Sequence, residues 1–329
     1  NLVQASQSAA PTQPPQGFLT LQNIANGGPV QGANDITAAT AVYYSPYVGN
    51  QIPIWNGSSF SILVFPELTL NLSSSAQAST TAYDVCVFNN AGTPVAVFGP
   101  AWSTSAGASA SRGTGAGSAQ LIKQNGIYVN AVQIAANNGS NSYTIPALQC
   151  TYVGSVYTDA SAGQVSNYRT WGQSRKWGTW NAYWRVPIYL QVGDSTPNWG
   201  YSTATIRPSN NATANSLITF IGLPEEIANL SFTQQVRPNN TASQNTFAQI
   251  GIGYNSTTAF SGTTAMVLDT FNAITSNTYV IGATVAAAYQ APIGIGAQTV
   301  TALEVIAGTS GANFLGTQPF MLLTAQWRG

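Results

Sequence analysis

The chain is expected to be all-β, with two β-sandwich or jelly-roll-like domains after an extended N-terminal arm. Three observations carry that expectation. Residues that favour strands (Val, Ile, Tyr, Phe, Trp and Thr) recur in short runs punctuated by Gly, Asn, Ser and Pro. No stretch of about twelve residues combines the i, i+3, i+4, i+7 apolar spacing with good helix formers. With 44% apolar and 11% aromatic residues, the scarcity of charge does not signal disorder, and 329 residues suffice for a sizeable core.

Residues 1–16 are polar and proline-rich, with almost no apolar anchor, and read as an arm that is ordered only against another chain. From Gly17 short strands begin, and residues 17–164 form the first expected domain. Asn56-Gly57 lies between Gln51–Trp55 and Phe60–Phe65 and predicts a type I′ hairpin. Leu68–Leu72 alternates with period two. Tyr83–Phe88 and Pro94–Phe98 flank the turn Asn89–Thr93. Ser103–Ser118 is small and Gly/Ser/Ala-rich, a loop whose one charge is Arg112. Asn125-Gly126 joins Ala119–Gln124 to Ile127–Val132, and Asn138-Gly139 precedes the strand Ser142–Ile145.

A boundary is placed near Ser161-Ala162-Gly163, so that residues 165–329 form the second domain. Its entry is distinctive: Val165 to Tyr201 holds five of the eight tryptophans and four of the nine basic residues. Strands are expected at Leu217–Phe220, Leu230–Val236, Phe247–Tyr254, Met266–Phe271, Tyr279–Ala286, Val300–Ile306 and Phe320–Trp327. Only Pro224–Ala228 reads as helical, one turn with proline first and two acids at its start.

Composition excludes whole classes of chemistry. There is no histidine, the one side chain whose ordinary pKa lies near neutrality and the commonest metal ligand. Nine basic and nine acidic residues, 5% of the chain, leave no net charge. That gives no basic field for nucleic acid and little colloidal repulsion between copies, which suits a permanent assembly. No apolar run is long enough for a membrane-spanning helix. No charged segment followed by an apolar one opens the chain, so no signal peptide is expected. Cys86 and Cys150 are too few for a cysteine zinc site and are expected to be buried free thiols, although a disulfide between them is possible. Asn-X-Ser/Thr sequons at Asn56, Asn71, Asn138, Asn211, Asn229, Asn239 and Asn255 are what an Asn/Ser/Thr-rich chain produces by chance.

The catalytic candidates are weak. Paired carboxylates remain open in principle, but Asp35, Glu67, Asp84, Asp159, Asp194, Asp269 and Glu304 are dispersed. Glu225 and Glu226 are adjacent and would diverge on a helical turn. Asp194, after the Trp-rich stretch, and Glu304, inside an apolar strand, are the least implausible acids. A buried Glu304 is expected to bind an arginine instead. No acid run suits calcium. Gly113–Gly117 lacks the lysine and helix of a phosphate loop. No catalytic residue, metal ligand or cofactor is therefore expected.

The sharpest positive feature is the aromatic segment. Trp171, Trp177, Trp180, Tyr183, Trp184, Arg185 and Trp199 are the candidate contact residues, for a subunit interface or a glycan. Hydrophobic core is the default reading of the tryptophans. Read as a strand, Trp180 and Trp184 share one side while Trp177 and Tyr183 share the other.

Several stretches resemble tailed-bacteriophage virion appendage proteins, the head-fibre, tail-fibre and adhesin type subunits. They are Tyr83–Thr93, Arg112–Gly117, Gln149–Val156, Gly172–Pro187 and Leu323–Gly329, spread over about residues 40 to 329. The resemblance implies an all-β, trimeric virion protein made in the host cytoplasm, and it supplies no catalytic residues. The expected function is a non-enzymatic fibre or spike subunit. Its partners would be copies of itself and other virion proteins through the arm, with a host surface glycan as a further candidate, and with no nucleic acid and no membrane insertion. The alternatives are a carbohydrate-binding receptor adhesin, a capsid decoration protein and, more remotely, a polysaccharide depolymerase.

Overall fold

The computed structural model describes residues 13–24, 32–113, 120–238, 245–270, 283–292, 294–308 and 311–329. Within them the chain is all-β, with a single short 3-10 turn at Ser209–Asn211. Among the described residues no helix is long and apolar enough to cross a membrane.

The largest sheet in the first half has Ala82–Asn90 at its centre, flanked by Thr93–Ala101 and Cys150–Tyr157. Both central strands are buried over most of their length because each is covered on both faces, so Cys150–Tyr157 shows no solvent-facing alternation at all. Gly17–Thr20, Ala41–Pro46 and Leu68–Asn71 form a smaller antiparallel sheet against it. Leu19, Val42, Leu70, Val85 and Phe98 make a common core between the two.

In the second half, one six-stranded sheet runs through Ser216–Ile221, Gly296–Ile306, Asn245–Tyr254 and Ser261–Thr270. A second runs through Pro187–Val192, Met321–Arg328, Ile227–Pro238 and Ala283–Pro292, with Ala312–Leu315 and Asn198–Tyr201 beside it. Phe220, Phe232, Phe314, Leu323 and Trp327 fill the space between these sheets.

Strand pairs cross the expected boundary near residue 164. Val165–Asn167 pairs with Ile36–Ala39, and Thr179–Asn181 adds to Cys150–Tyr157. The core that holds Trp180 and Phe220 also includes Ala82, Trp102, Tyr152 and Tyr157 from the first half.

Four expectations are corrected. Cys86 and Cys150 are not free thiols. They form a disulfide with Cα atoms 5.6 Å apart, bringing together residues 64 positions apart. The antiparallel register sets Cys86 opposite Tyr152 and Phe88 opposite Cys150, which places the two thiols within bonding reach. Asn56-Gly57 does mark a hairpin, but the loop has four residues: Trp55 pairs with Phe60, and the Asn56 side chain accepts from the amides of Ser58 and Ser59. Pro224–Ala228 is a turn leading into the strand Ile227–Pro238, not a helix, because tertiary pairing overrides a five-residue local preference. Residues 13–16 of the arm pack on their own chain. The Gln16 amide donates to the Gln51 carbonyl at 3.0 Å, and Pro15 is buried. The rest of the arm, residues 1–12, lies outside the described residues.

Candidate functional site

The tryptophan-rich segment does not form one exposed platform. Trp180 is fully buried in the middle of Thr179–Asn181, its indole N–H donating to the Arg328 carbonyl at 3.2 Å. Trp177 is buried beneath the Arg169 guanidinium, 4.5 Å from the ring centre. Trp199 is buried, lies parallel to Phe314, and donates to the Glu304 carboxylate at 2.8 Å. Trp171 is half-buried and donates to the Met321 carbonyl at 3.3 Å. Trp177, Trp180 and Trp199 are core, and the indole N–H groups of Trp171, Trp180 and Trp199 are used up on backbone or carboxylate oxygens, as burial of an indole requires.

Tyr183 and Trp184 depart from the strand pattern because the strand stops at Asn181. Tyr183 is half-buried, with its hydroxyl accepting from the Tyr128 amide at 3.2 Å; burial pushes its pKa up to about 12. Trp184 takes a left-handed backbone, φ 55°, that no neighbouring glycine relieves. The bend turns its ring outward to 40% exposure, and its N–H donates to the Pro15 carbonyl at 2.7 Å. Trp184 is thus the one exposed tryptophan of the segment, and its contact is with the arm.

Arg185 stacks on Trp180 at 4.4 Å and gathers both glutamates that were expected to diverge: Nη1 donates to Glu226 at 2.6 Å and Nη2 to Glu225 at 2.8 Å. A turn, unlike a helix, lets two adjacent carboxylates converge on one guanidinium. Tyr128 donates to Glu225 at 2.8 Å, and Arg185 holds that carboxyl below its ordinary range.

The other acids are spent in the same way. Asp84 takes a two-pronged contact from Arg112 at 2.5 and 2.8 Å and also accepts from Trp102 and Ser155. The same guanidinium sits 4.3 Å from the Trp102 ring centre and donates to the Gly222 carbonyl at 2.7 Å, which ties the two halves together. Residue 222 must be glycine here: a Cβ would lie 2.3 Å from the Tyr152 hydroxyl and 2.5 Å from the Trp180 ring. Asp35 accepts from the Arg169 and Thr170 amides and pairs with Arg175. Asp159 pairs with Lys176, and Glu67 accepts from the Ile24 amide and the Ser45 hydroxyl.

Asp194 and Glu304, the two acids singled out as catalytic candidates, have structural surroundings. Asp194 accepts from Asn215 at 2.8 Å, Asn210 at 3.0 Å, Gln173 at 3.4 Å and the Thr196 amide at 2.8 Å. Burial works to raise its pKa, and these donors outweigh it, so the group sits below the ordinary value. Glu304 is fully buried and, as expected, binds an arginine: Arg207 approaches to 2.7 Å, and Trp199 and the Asn210 amide also donate. Burial nevertheless pushes its pKa up to about 7, against the pull of those donors. Asp269 is in the Ser261–Thr270 strand.

Among the described residues no group of three or more carboxylates or cysteines is placed to hold a metal ion. The voids beside Trp177 and beside the disulfide each amount to about 10 Å³, room for about one water. Comparison with protein families and with characterised proteins finds no match to this chain.

Sequence reasoning missed the Asp84–Arg112–Gly222 tie and the double pairing of Arg185. A usable signal was present for both. In a chain with nine charges of each sign, a lone arginine in a Gly/Ser loop or two adjacent acids beside an apolar strand must be placed somewhere.

Proposed function

We propose that this protein is a non-enzymatic structural subunit of a homo-oligomeric virion appendage, a fibre or spike. The observation that carries the reading is the use of charge. Eight of the nine carboxylates have described side chains, and each is held by an arginine, a lysine or several N–H and O–H donors that tie distant segments together. A scaffold spends its few charges this way, whereas an active site keeps one available to a substrate.

Two further points support the reading. The stretches that resemble phage appendage proteins coincide with structural positions: Gln149–Val156 enters the buried central strand, and Gly172–Pro187 bridges the two halves. The disulfide fits a protein that serves outside a reducing cytoplasm, as a released particle does. Sedimentation of the purified chain at micromolar concentration tests the proposal. A mass of three copies is expected. A compact monomer that also makes no contact with other copies on the particle would overturn it.

A further inference from the structure

The N-terminal segment Gln13–Gln16 lies in a bed built by residues far from it in sequence. Pro15 is buried, and its carbonyl accepts the Trp184 indole N–H at 2.7 Å, while Pro14 stays exposed. The Gln16 carbonyl accepts the Tyr47 amide at 3.2 Å and the Val48 amide at 3.1 Å. The Gln51 amide donates to the Gln16 side chain at 3.1 Å, and the Gln13 side chain touches that of Gln51. Residue 49 is glycine because a Cβ there would strike the Gln16 side chain. Tyr47, Val48 and Trp184 remain exposed around the bed, and no charged side chain occurs among residues 13–18 or 44–51. Trp184 holds its position through a left-handed backbone, which a non-glycine residue keeps only when its surroundings impose it.

Proline fixes its own φ and pushes the residue before it to an extended conformation, so Gln13-Pro14-Pro15 favours polyproline II. That helix has no internal hydrogen bonds, and its carbonyls are left to accept from outside. Aromatic-lined grooves take proline-rich segments in this form, and here Trp184 adds an indole donor. We infer that Trp184, Tyr47–Gly49 and Gln51 form a recognition site for a proline-rich polypeptide segment, and that its occupant in the assembly is Gln13–Gln16 of a second copy. Every copy carries the sequence that is seated here, so exchange between chains remakes the same contacts. The segment joins the fold at one junction, Gln16 to Gly17, where the strand Gly17–Thr20 begins. A stiff segment also loses little conformational freedom when it docks again. Four residues span at most about 14 Å, so exchange brings the site of one copy close to Gly17 of the next. Such a contact covers the exposed Tyr47, Val48 and Trp184. The inference rests on the homo-oligomeric reading and adds to it the element that the copies share.

The test co-expresses two full-length chains, one with Gln13→Cys and one with Gln51→Cys, and treats the product with a short bismaleimide. Cys86 and Cys150 are bonded to each other and do not react. A link between the two kinds of chain can arise only between copies, and mass spectrometry of the linked peptides identifies it. That link is expected. Trp184→Phe keeps a ring but loses the indole donor, and it should lower the yield several-fold, as the loss of one hydrogen bond does. Pro14→Ala with Pro15→Ala, which removes the stiffness of the segment, should lower it as well. Sedimentation of the same material reads the oligomeric state. An oligomer in which the two kinds of chain do not link refutes the exchange and leaves the structural reading standing. A compact monomer overturns both. A link undiminished by Trp184→Phe and by the proline changes would mean proximity without recognition, and that also overturns the inference.

Discussion

Two tryptophans four positions apart have opposite fates, and the difference is measurable. Trp180 is fully enclosed, and Trp180→Ala should cost about 3–5 kcal/mol in denaturant unfolding. Trp184 is 40% exposed and loses mainly one hydrogen bond, to Pro15, so Trp184→Ala should cost about 1 kcal/mol or less. Equal costs would mean that Trp184 is covered in the protein as it exists in solution. The two buried acids should bend the pH profile of stability in opposite directions. Asp194 titrates below its ordinary 3.8 in the fold, so its contribution is present above that value and lost as pH falls through the lower, native value. Glu304 titrates near 7 in the fold against an ordinary 4.5, so the native state binds the extra proton between these values and stability declines as pH rises across that window. Urea midpoints measured from acid to neutral pH should show this decline in the parent and not in Glu304→Gln. Asp194→Asn should flatten the acid limb alone. Where these amide variants fold, the assembly that the proposed structural role requires should stay within a few-fold of the parent. A collapse of several orders of magnitude in a folded variant would reveal an active site.

The hairpins show how far a local signal reaches. Asn125-Gly126 closes a two-residue turn, with Gln124 paired to Ile127 and both turn residues at positive φ, as the dipeptide predicts. Asn138-Gly139 and Asn56-Gly57 instead sit in four-residue loops. In both, the asparagine side chain accepts a backbone amide within its own loop and so competes with the tight turn. Ala91-Gly92 makes another two-residue turn with no asparagine in it. The disulfide belongs to the same scale, because it bonds neighbouring strands whose register is already set. Cys86→Ala with Cys150→Ala should lower stability by about 4 kcal/mol, the loop-closure value for this separation. Both sulfurs are in buried residues, so reductant alone should leave the bond intact until the chain unfolds. A native chain that reduces freely would show that the strands open far more easily than their burial implies.

Across the whole molecule, the ties between the halves are backbone and polar as well as apolar. The Asn181 side chain accepts from the Leu19 amide at 2.6 Å and donates to the Leu19 carbonyl at 3.1 Å, so it takes the place of a neighbouring strand for a residue 162 positions away. Arg112 reaches Gly222, Asp35 reaches Arg169, and one core includes residues from both halves. Thermal unfolding followed by tryptophan fluorescence and by circular dichroism should therefore give one coincident transition. Two separated transitions would mean that the halves fold independently despite these contacts.

All-β character, most strand positions and the burial of Glu304 beside an arginine were legible in the sequence, because strand propensity, period-two alternation and the cost of an unpaired buried charge act locally or through composition. The strands Leu121–Gln124, Ser142–Ile145 and Met321–Arg328 lie within one or two residues of where their patterns put them. Cys150–Tyr157 had no such pattern, since a strand covered on both faces does not alternate. The Cys86–Cys150 bond, the convergence of Glu225 and Glu226 on Arg185 and the outward turn of Trp184 onto Pro15 needed the tertiary structure. Each depends on which strands become neighbours and in what register. Those contacts join residues from 40 to more than a hundred positions apart, and no local preference encodes them.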